Sequence, residues 1–488
     1  MFSPQNLARL EKLAAILWGL VLVTLPVTTF RFIPSFYGTT LVRPLALYPL
    51  ALLFGVLLVL AWRKRRFAWP LHSIPLAVFL LLALLTTLLA GLRPPVPLRT
   101  FSYWERVVRA WFSVAVGLVF FYSAAQMNRS EADLKRSLRW LYAGLALTLA
   151  WGALQVVAIY TPLIRIQTLS KVQLLFSARR LLNRRVSGFA YEPSWLSDQL
   201  VILYFPWLFA AVLTNYRLTR YKWLEPALLL GLLGLEVFTF SRSGILSLAV
   251  TSLAVIVLTG RRWMLRIWGW FSAPFSNPAK PAGKLLRGGV VLVILAVVAG
   301  AFYLLSDYPY FARLWQFNLE GGFIDYIINI SAGPRLAYSW AGVQTYAQHP
   351  LGGVGLGASG FYLFDNLPDW AYVAMAEISR RLSPDSNVFP NTKSLYIRLL
   401  AETGLVGFWA FVAYLLAILG SIRTLFARRR YIAVAGLCIW LTVFLRNFTQ
   451  DSLTFPIMWI GFGIILGLAA APYAGQPTQI SEPEQGVS

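Results

Sequence analysis

Residues 223–260 read WLEPALLLGLLGLEVFTFSRSGILSLAVTSLAVIVLTG. Two apolar runs, 223–240 and 244–260, flank the segment Phe238-Thr-Phe-Ser-Arg-Ser-Gly244. A membrane-spanning helix needs about 20 mostly apolar residues. The stretch therefore reads as two tightly joined spans with Arg242 at their junction. Working outward, comparable runs fall near 14–30, 42–62, 72–91, 107–127, 139–160, 196–214, 288–305, 396–420, 431–447 and 454–472. One crossing each predicts an all-α polytopic integral membrane protein with about 12 transmembrane helices. The composition agrees: 13% of residues are charged, against roughly 25% in a soluble domain. The first run lacks a small-residue cleavage site and reads as a retained anchor.

Basic clusters set the orientation. Arg9 and Lys12 precede the first run, Arg63-Lys64-Arg65-Arg66 follow the second, and Lys135, Arg136 and Arg139 precede the fifth. Arg217, Arg220 and Lys222 separate runs six and seven; Arg261, Arg262, Arg266, Lys280, Lys284 and Arg287 separate eight and nine; Arg423 and Arg428-Arg429-Arg430 separate ten and eleven. With every run crossing once, all fall on one side, which the positive-inside rule makes the cytoplasm, together with both termini. The net charge of +24 is thus explained by loops rather than by nucleic acid, for which no binding domain is visible. Spans 1–5 occupy 1–160, an outer loop with an amphipathic stretch 161–195, and spans 6–9 occupy 196–305. A large outer (periplasmic) loop between spans 9 and 10 fills 306–395, and spans 10–12 follow over 396–472. The polar tail 473–488 reads as disordered and 271–284 as a flexible cytoplasmic loop. The single cysteine, Cys438, excludes an intrachain disulfide.

Long ordered loops are usually functional, and the two outer segments carry cations where few are expected, among them Arg184, Arg185, Arg335 and Lys393. Snorkelling and surface ion pairs account for part of this set. They account least for Arg242, because an arginine at a membrane boundary is costly and marks a functional site. Arginine binds phosphate in a bidentate manner, so the cluster suggests a lipid-linked phosphate or pyrophosphate. Glu192 stands just before a proline that starts a helix. It serves either the helix dipole, or an arginine, a sugar hydroxyl or general-base catalysis. The glycine-rich stretch His349-Pro-Leu-Gly-Gly-Val-Gly-Leu-Gly357 lacks P-loop and dinucleotide spacing and reads as a tight turn. Gly404 and Gly407 fit close helix packing as well as function. Tyr191, Trp340 and Tyr396, beside these blocks, are candidates for contact with glycan or acceptor. Two histidines, His72 and His349, without paired spacing, and no Asp-X-Asp on an outer segment leave no metal site in view.

Taken together, Ser-Arg-Ser-Gly at 241–244, Arg335 with Trp340, His-Pro-Leu-Gly-Gly-Val-Gly at 349–355 and Leu-Ala-Glu-Thr-Gly-Leu-Val-Gly at 400–407 resemble the O-antigen ligase and polymerase superfamily. The resemblance runs from about residue 184 to 456, and the first five spans add only hydropathy. It implies a GT-C-like membrane glycosyltransferase of the bacterial inner membrane, with the active site facing the periplasm and no metal or other cofactor. It implies an undecaprenyl-pyrophosphate-linked glycan donor, a lipid-linked glycan acceptor, contact with membrane lipids and a possible chain-length regulator. Arg242 and Arg335 would engage the pyrophosphate, with Arg184 and Arg185 nearby, and would neutralise charge on the leaving group. The ligases carry a histidine where this chain has Lys393. Lys393 is then a base if its pKa is lowered, or a further phosphate contact. Glu192, in Tyr-Glu-Pro-Ser, is the alternative base and resembles a stretch in exopolysaccharide polymerases. Those two departures favour a repeat-unit polymerase over a ligase that delivers glycan to lipid A core or protein. A transporter would show broken helices and midplane charges, and an inert scaffold leaves the outer arginines unexplained.

Overall fold

Every apolar run folds as helix. The computed structural model describes residues 4–34, 41–64, 70–273, 281–306, 309–316 and 322–470. The tail 473–488, the loop residues 274–280, and Arg65 and Arg66 of the second basic cluster lie outside the described residues. The first third comprises α1 (Pro4–Thr24), α2 (Leu47–Lys64), α3 (Ile74–Ala90), α4 (Tyr103–Met127) and α5 (Glu131–Tyr160). Next come α6 (Ile166–Phe176), α7 (Pro193–Asp198), a π-helical stretch Gln199–Tyr204, α8 (Phe205–Thr214), α9 (Leu224–Thr239), α10 (Arg242–Thr259), α11 (Arg261–Ser272) and α12 (Pro281–Ser306). Short helices follow: α13 (Pro309–Trp315), α14 (Gly322–Asn329), α15 (Gly333–Gln348), α16 (Gly360–Leu363), α17 (Trp370–Ala374) and α18 (Ala376–Leu382). The chain then returns to the bundle with α19 (Leu395–Arg428), α20 (Arg430–Arg446) and α21 (Pro456–Ala470). Among the described residues there is no β-strand, only isolated bridges at Thr29–Arg43 and Leu98–Phe101. Among the described residues, five helical segments are long and apolar enough to cross a membrane by length and composition, including Pro193–Thr214, Arg242–Thr259 and Leu395–Arg428.

Side chains decide the packing. α4 lies along α21, α19 along α3, and α20 against α8 and α10. Gly463 and Gly467 let α21 approach α4 closely: a Cβ on either would stand 2.5 Å from a backbone oxygen, of Phe121 or Ala125. Trp18, Trp207 and Trp459 are almost wholly buried in the main core. A second, smaller core of Ala337, Tyr338, Ala341, Leu363, Ala371 and Ile378 holds the short helices α15–α18 together as a cap. The segment 306–395, read as an outer loop, is thus in good part helical among its described residues. So is the amphipathic stretch of 161–195, whose helix α6 buries Leu169 and Gln173.

The cap is fastened by the glycine-rich turn. α19 breaks at Gly404, where φ is +62°. The break frees backbone groups that a continuous helix would pair. The turn occupies it: the N–H groups of Val354 and Gly355 donate to the carbonyls of Ala401 and Glu402 (2.9 and 2.8 Å), and Leu405 N–H donates to Pro350 (2.8 Å). Gly353 has φ +66°, and a Cβ there would stand 2.5 Å from the Glu402 carbonyl carbon. Glycine is required on both counts.

Candidate functional site

Between the cap and the end of the bundle lies a cavity of about 510 Å³. Arg335 reaches it from the first turn of α15, Lys393 and Asn391 from the segment before α19, and Arg398 and Glu402 from α19 itself. Arg446, the last residue of α20, Arg106 of α4, Asp198 of α7, Glu377 of α18, Glu192 and Asp451 complete the charged lining.

Cations and carboxylates are equal in number in the lining, but they do not all pair. Arg446 is bound to Asp198, and both are nearly buried. Arg398 Nε meets Glu402 Oε2 at 2.9 Å, its Nη1 donates to the Asp451 carbonyl (2.8 Å), and Ser359 donates to Glu402 Oε1 (2.8 Å). Glu377 faces Arg381 at 2.7 Å and Lys393 at 3.9 Å. Glu192 is held by Arg179 at 3.1 Å and accepts from Ser194 at 3.3 Å. Arg335 and Arg106 pair with no carboxylate among the described residues. Arg335 donates to the Thr449 carbonyl (3.0 Å), and Arg106 stacks over Phe389 at 4.0 Å. Burial, and then the Arg446 guanidinium, lower the pKa of Arg335. An anion in the cavity would relieve that repulsion.

Four buried polar atoms of lining residues have no partner among the described residues: Arg106 Nε, Asn391 Oδ1, Arg446 Nη1 and Asp451 Oδ2. Buried polar groups are normally satisfied, so these mark where a polar ligand can bond. Lys393 sits at φ +64°, a strained conformation for a residue with a Cβ. Burial, followed by the Arg381 guanidinium, pulls its ammonium below the ordinary lysine range.

Arg242 stands beside this cavity rather than among its lining residues. Its position follows from a tight turn: Phe240 takes φ +49° as the C-cap of α9, and the Ser241 hydroxyl accepts from Gly244 N–H as the N-cap of α10. A Cβ on Gly244 would stand 2.5 Å from Glu236 Oε1, so the glycine lets α10 approach the Ser197–Glu236 hydrogen bond (2.6 Å). Arg242 Nη2 donates to the Ile330 carbonyl (2.6 Å), and Arg335, Arg313 and Arg185 surround it electrostatically.

Other expected residues fall elsewhere. Arg185 Nε donates to the Thr239 carbonyl (2.8 Å) at the end of α9, where a cation is favoured by the helix dipole. Arg184, like Arg185, is absent from the lining. Tyr191 lies under Arg179 and against Trp195, which does line the cavity. Trp340 is exposed on α15. Tyr396 is core, its hydroxyl on the Phe444 carbonyl (3.0 Å). The sequence reading overlooked Arg106, Asp198, Arg398, Arg446 and Asp451. The argument that selected Arg242, a charge at the edge of an apolar run, applies equally to Arg398 and Arg446.

Next to the charged cavity is an apolar groove of about 440 Å³, lined by Ile33, Pro34, Pro44, Leu47 and Phe112 among others. Val42 lines both. Among the described residues no three His, Cys, Asp or Glu side chains gather as a metal-binding set.

No curated protein matches the chain. Residues 227–412 match the O-antigen ligase family, Wzy_C, a stretch that begins in α9, ends in α19 and contains Arg242, Arg335, Lys393, Arg398 and Glu402. Over that stretch, which is less than half of the chain, the protein is similar to the O-antigen ligase family.

Proposed function

We propose that this protein polymerises oligosaccharide repeat units carried on undecaprenyl pyrophosphate, by inversion and without metal, on the outer face of the plasma membrane. One observation carries the reading. A cavity in which Arg335 and Arg106 have no carboxylate partner among the described residues adjoins an apolar groove, a pairing suited to a substrate with an anionic head and a lipid tail. An acceptor hydroxyl oxygen attacks the anomeric carbon of the donor. The bond from that carbon to the pyrophosphate oxygen breaks, and the lipid pyrophosphate leaves with the electron pair. Arg335, supported by Arg242, neutralises the charge that develops on it.

The hydroxyl proton passes to a base. Lys393 is favoured because it lines the cavity and its environment favours the neutral amine. Glu192 is second, because Arg179 and Ser194 already occupy its two oxygens. Lys393 in the place of the ligase histidine, with the Tyr-Glu-Pro-Ser stretch at 191–194, favours a second lipid-linked repeat unit as acceptor over lipid A core or protein. The break in α19 would suit a transporter, but its carbonyls are bonded to the glycine-rich turn rather than open to a cargo.

Purified protein given lipid-linked repeat units should lengthen the glycan, and Arg335→Ala and Arg242→Ala should each abolish this while remaining in the membrane. Undiminished polymer in either variant would sink the pyrophosphate assignment. Transfer only to lipid A core or to protein would instead identify a ligase. A chelator should leave the rate unchanged. Inhibition that Mg²⁺ or Mn²⁺ reverses would overturn metal independence.

A further inference from the structure

α10 runs from Arg242, beside the charged cavity, to Thr259, while α20 runs from Arg430 to Arg446, which lines it. Thr259 and Arg430 therefore mark the opposite end of the bundle, where α8 also finishes, at Thr214. A cavity of about 230 Å³ opens between these three helix ends. Arg266 and Arg430 line it, and no carboxylate does. Arg430 donates from Nη2 to the Thr259 carbonyl (2.8 Å). A guanidinium has five N–H donors, so that bond leaves capacity for a ligand. Gly260, at once the C-cap of α10 and the N-cap of α11, is on the same rim. There the ends of the two helix dipoles offset each other and leave the two guanidinium groups as the source of positive charge.

α11 has a second relevant property. At about 100° per residue, Ile267 and Phe271 stand about 40° apart on one side of the helix, while Arg266 projects about 100–140° away from them and beside Trp270. Ile267, Trp268 and Trp270 are exposed, although the Arg287 guanidinium of α12 covers one face of the Trp270 ring at 4.6 Å. A helix with a basic side and an apolar, indole-bearing side lies in the plane of a bilayer interface, and tryptophan concentrates at that depth. Free phosphate would have no use for the apolar side, whereas a phospholipid uses both halves.

We propose that this cavity and α11 form a binding site for one anionic phospholipid, its phosphate between Arg266 and Arg430 and its acyl chains along the aromatic side of α11. The site is independent of the glycan chemistry at the other end of the molecule. The full chain, purified in neutral detergent, should retain phosphatidylglycerol in preference to phosphatidylcholine by native mass spectrometry. The lipid should also raise the thermal unfolding midpoint. Arg266→Gln with Arg430→Gln should weaken phosphatidylglycerol binding about tenfold or more, the loss of two interfacial cations. Because Arg430 also bonds the Thr259 carbonyl, Arg266→Gln alone is the companion variant, expected to weaken binding about fivefold with an unchanged unfolding midpoint in the absence of lipid. Unchanged lipid preference in both variants would overturn the proposal. So would glycerol phosphate competing as well as the intact lipid, which would make this a site for a soluble anion.

Discussion

Lys393 concentrates three unusual conditions in one residue: a left-handed backbone, burial and a neighbouring arginine. Because its pKa is lowered, the neutral amine that accepts a proton forms at a lower pH than for a free lysine. Turnover that depends on the amine should therefore rise with pH and level off below the ordinary lysine range. Lys393→Ala should remove that limb and cut turnover by about 10²–10⁴, the usual worth of a general base, whereas Glu192→Gln should leave it in place. Turnover and binding need to be measured separately, since a phosphate-binding lysine would alter affinity instead. A polymerisation rate that keeps the same pH limb in Lys393→Ala would exclude Lys393 as the base. At this scale the sequence was informative where a charge stood between apolar runs, as for Arg335, Lys393 and Glu192, which line one cavity. It was uninformative for Asp451, whose neighbourhood distinguishes nothing until folding brings Arg398 and Asn391 alongside, whereas Asp198, a charge at the edge of the run 196–214, was open to the same argument as Arg242.

Among the elements, α19 is the most instructive. Its hydropathy announces one span, but hydropathy carries no record of the break at Gly404 or of the turn that fills it. The reading of Gly404 as a packing glycine was partly correct, since backbone does approach it closely; the reason is the positive φ and the approach of the turn between Leu351 and Gly355. Gly404→Ala should destabilise the protein by at least about 1–3 kcal/mol, the cost of placing a side chain in a backbone region open essentially to glycine alone, and its Cβ would collide with the Leu351 carbonyl oxygen. It should also loosen the cap, as seen by thermal unfolding in detergent and by faster hydrogen exchange across residues 349–357. An unchanged unfolding midpoint would show that the break is not needed for stability. The short helices α15–α18 were invisible for a different reason. Each is short, and their shared core of Tyr338, Leu363 and Ile378 is assembled from distant positions that no local periodicity reveals.

For the whole molecule, the contact between Asp198 and Arg446 joins helices 248 residues apart. Removing one member of such a pair leaves a buried charge uncompensated and costs about 3–5 kcal/mol, whereas replacing both by apolar residues is often neutral. Arg446→Met should therefore destabilise far more than Arg446→Met combined with Asp198→Leu, as measured by thermal unfolding. Equal losses in the single and double variants would refute that account. The apolar runs and the positive clusters made the helical membrane architecture legible, because the bilayer imposes its length and polarity on each segment. They were silent on which helices touch, since that depends on close approaches such as Gly463 and Gly467 of α21 against α4. The threading of residues 349–357 into α19 bears on how relatives can exchange parts. The turn works as a rivet through a membrane helix, and its hole is made by residues 401–405. A chimaera that imports a foreign cap must bring the matching stretch of α19 with it, and recombination between Gly357 and Ala401 should yield proteins whose two halves do not engage.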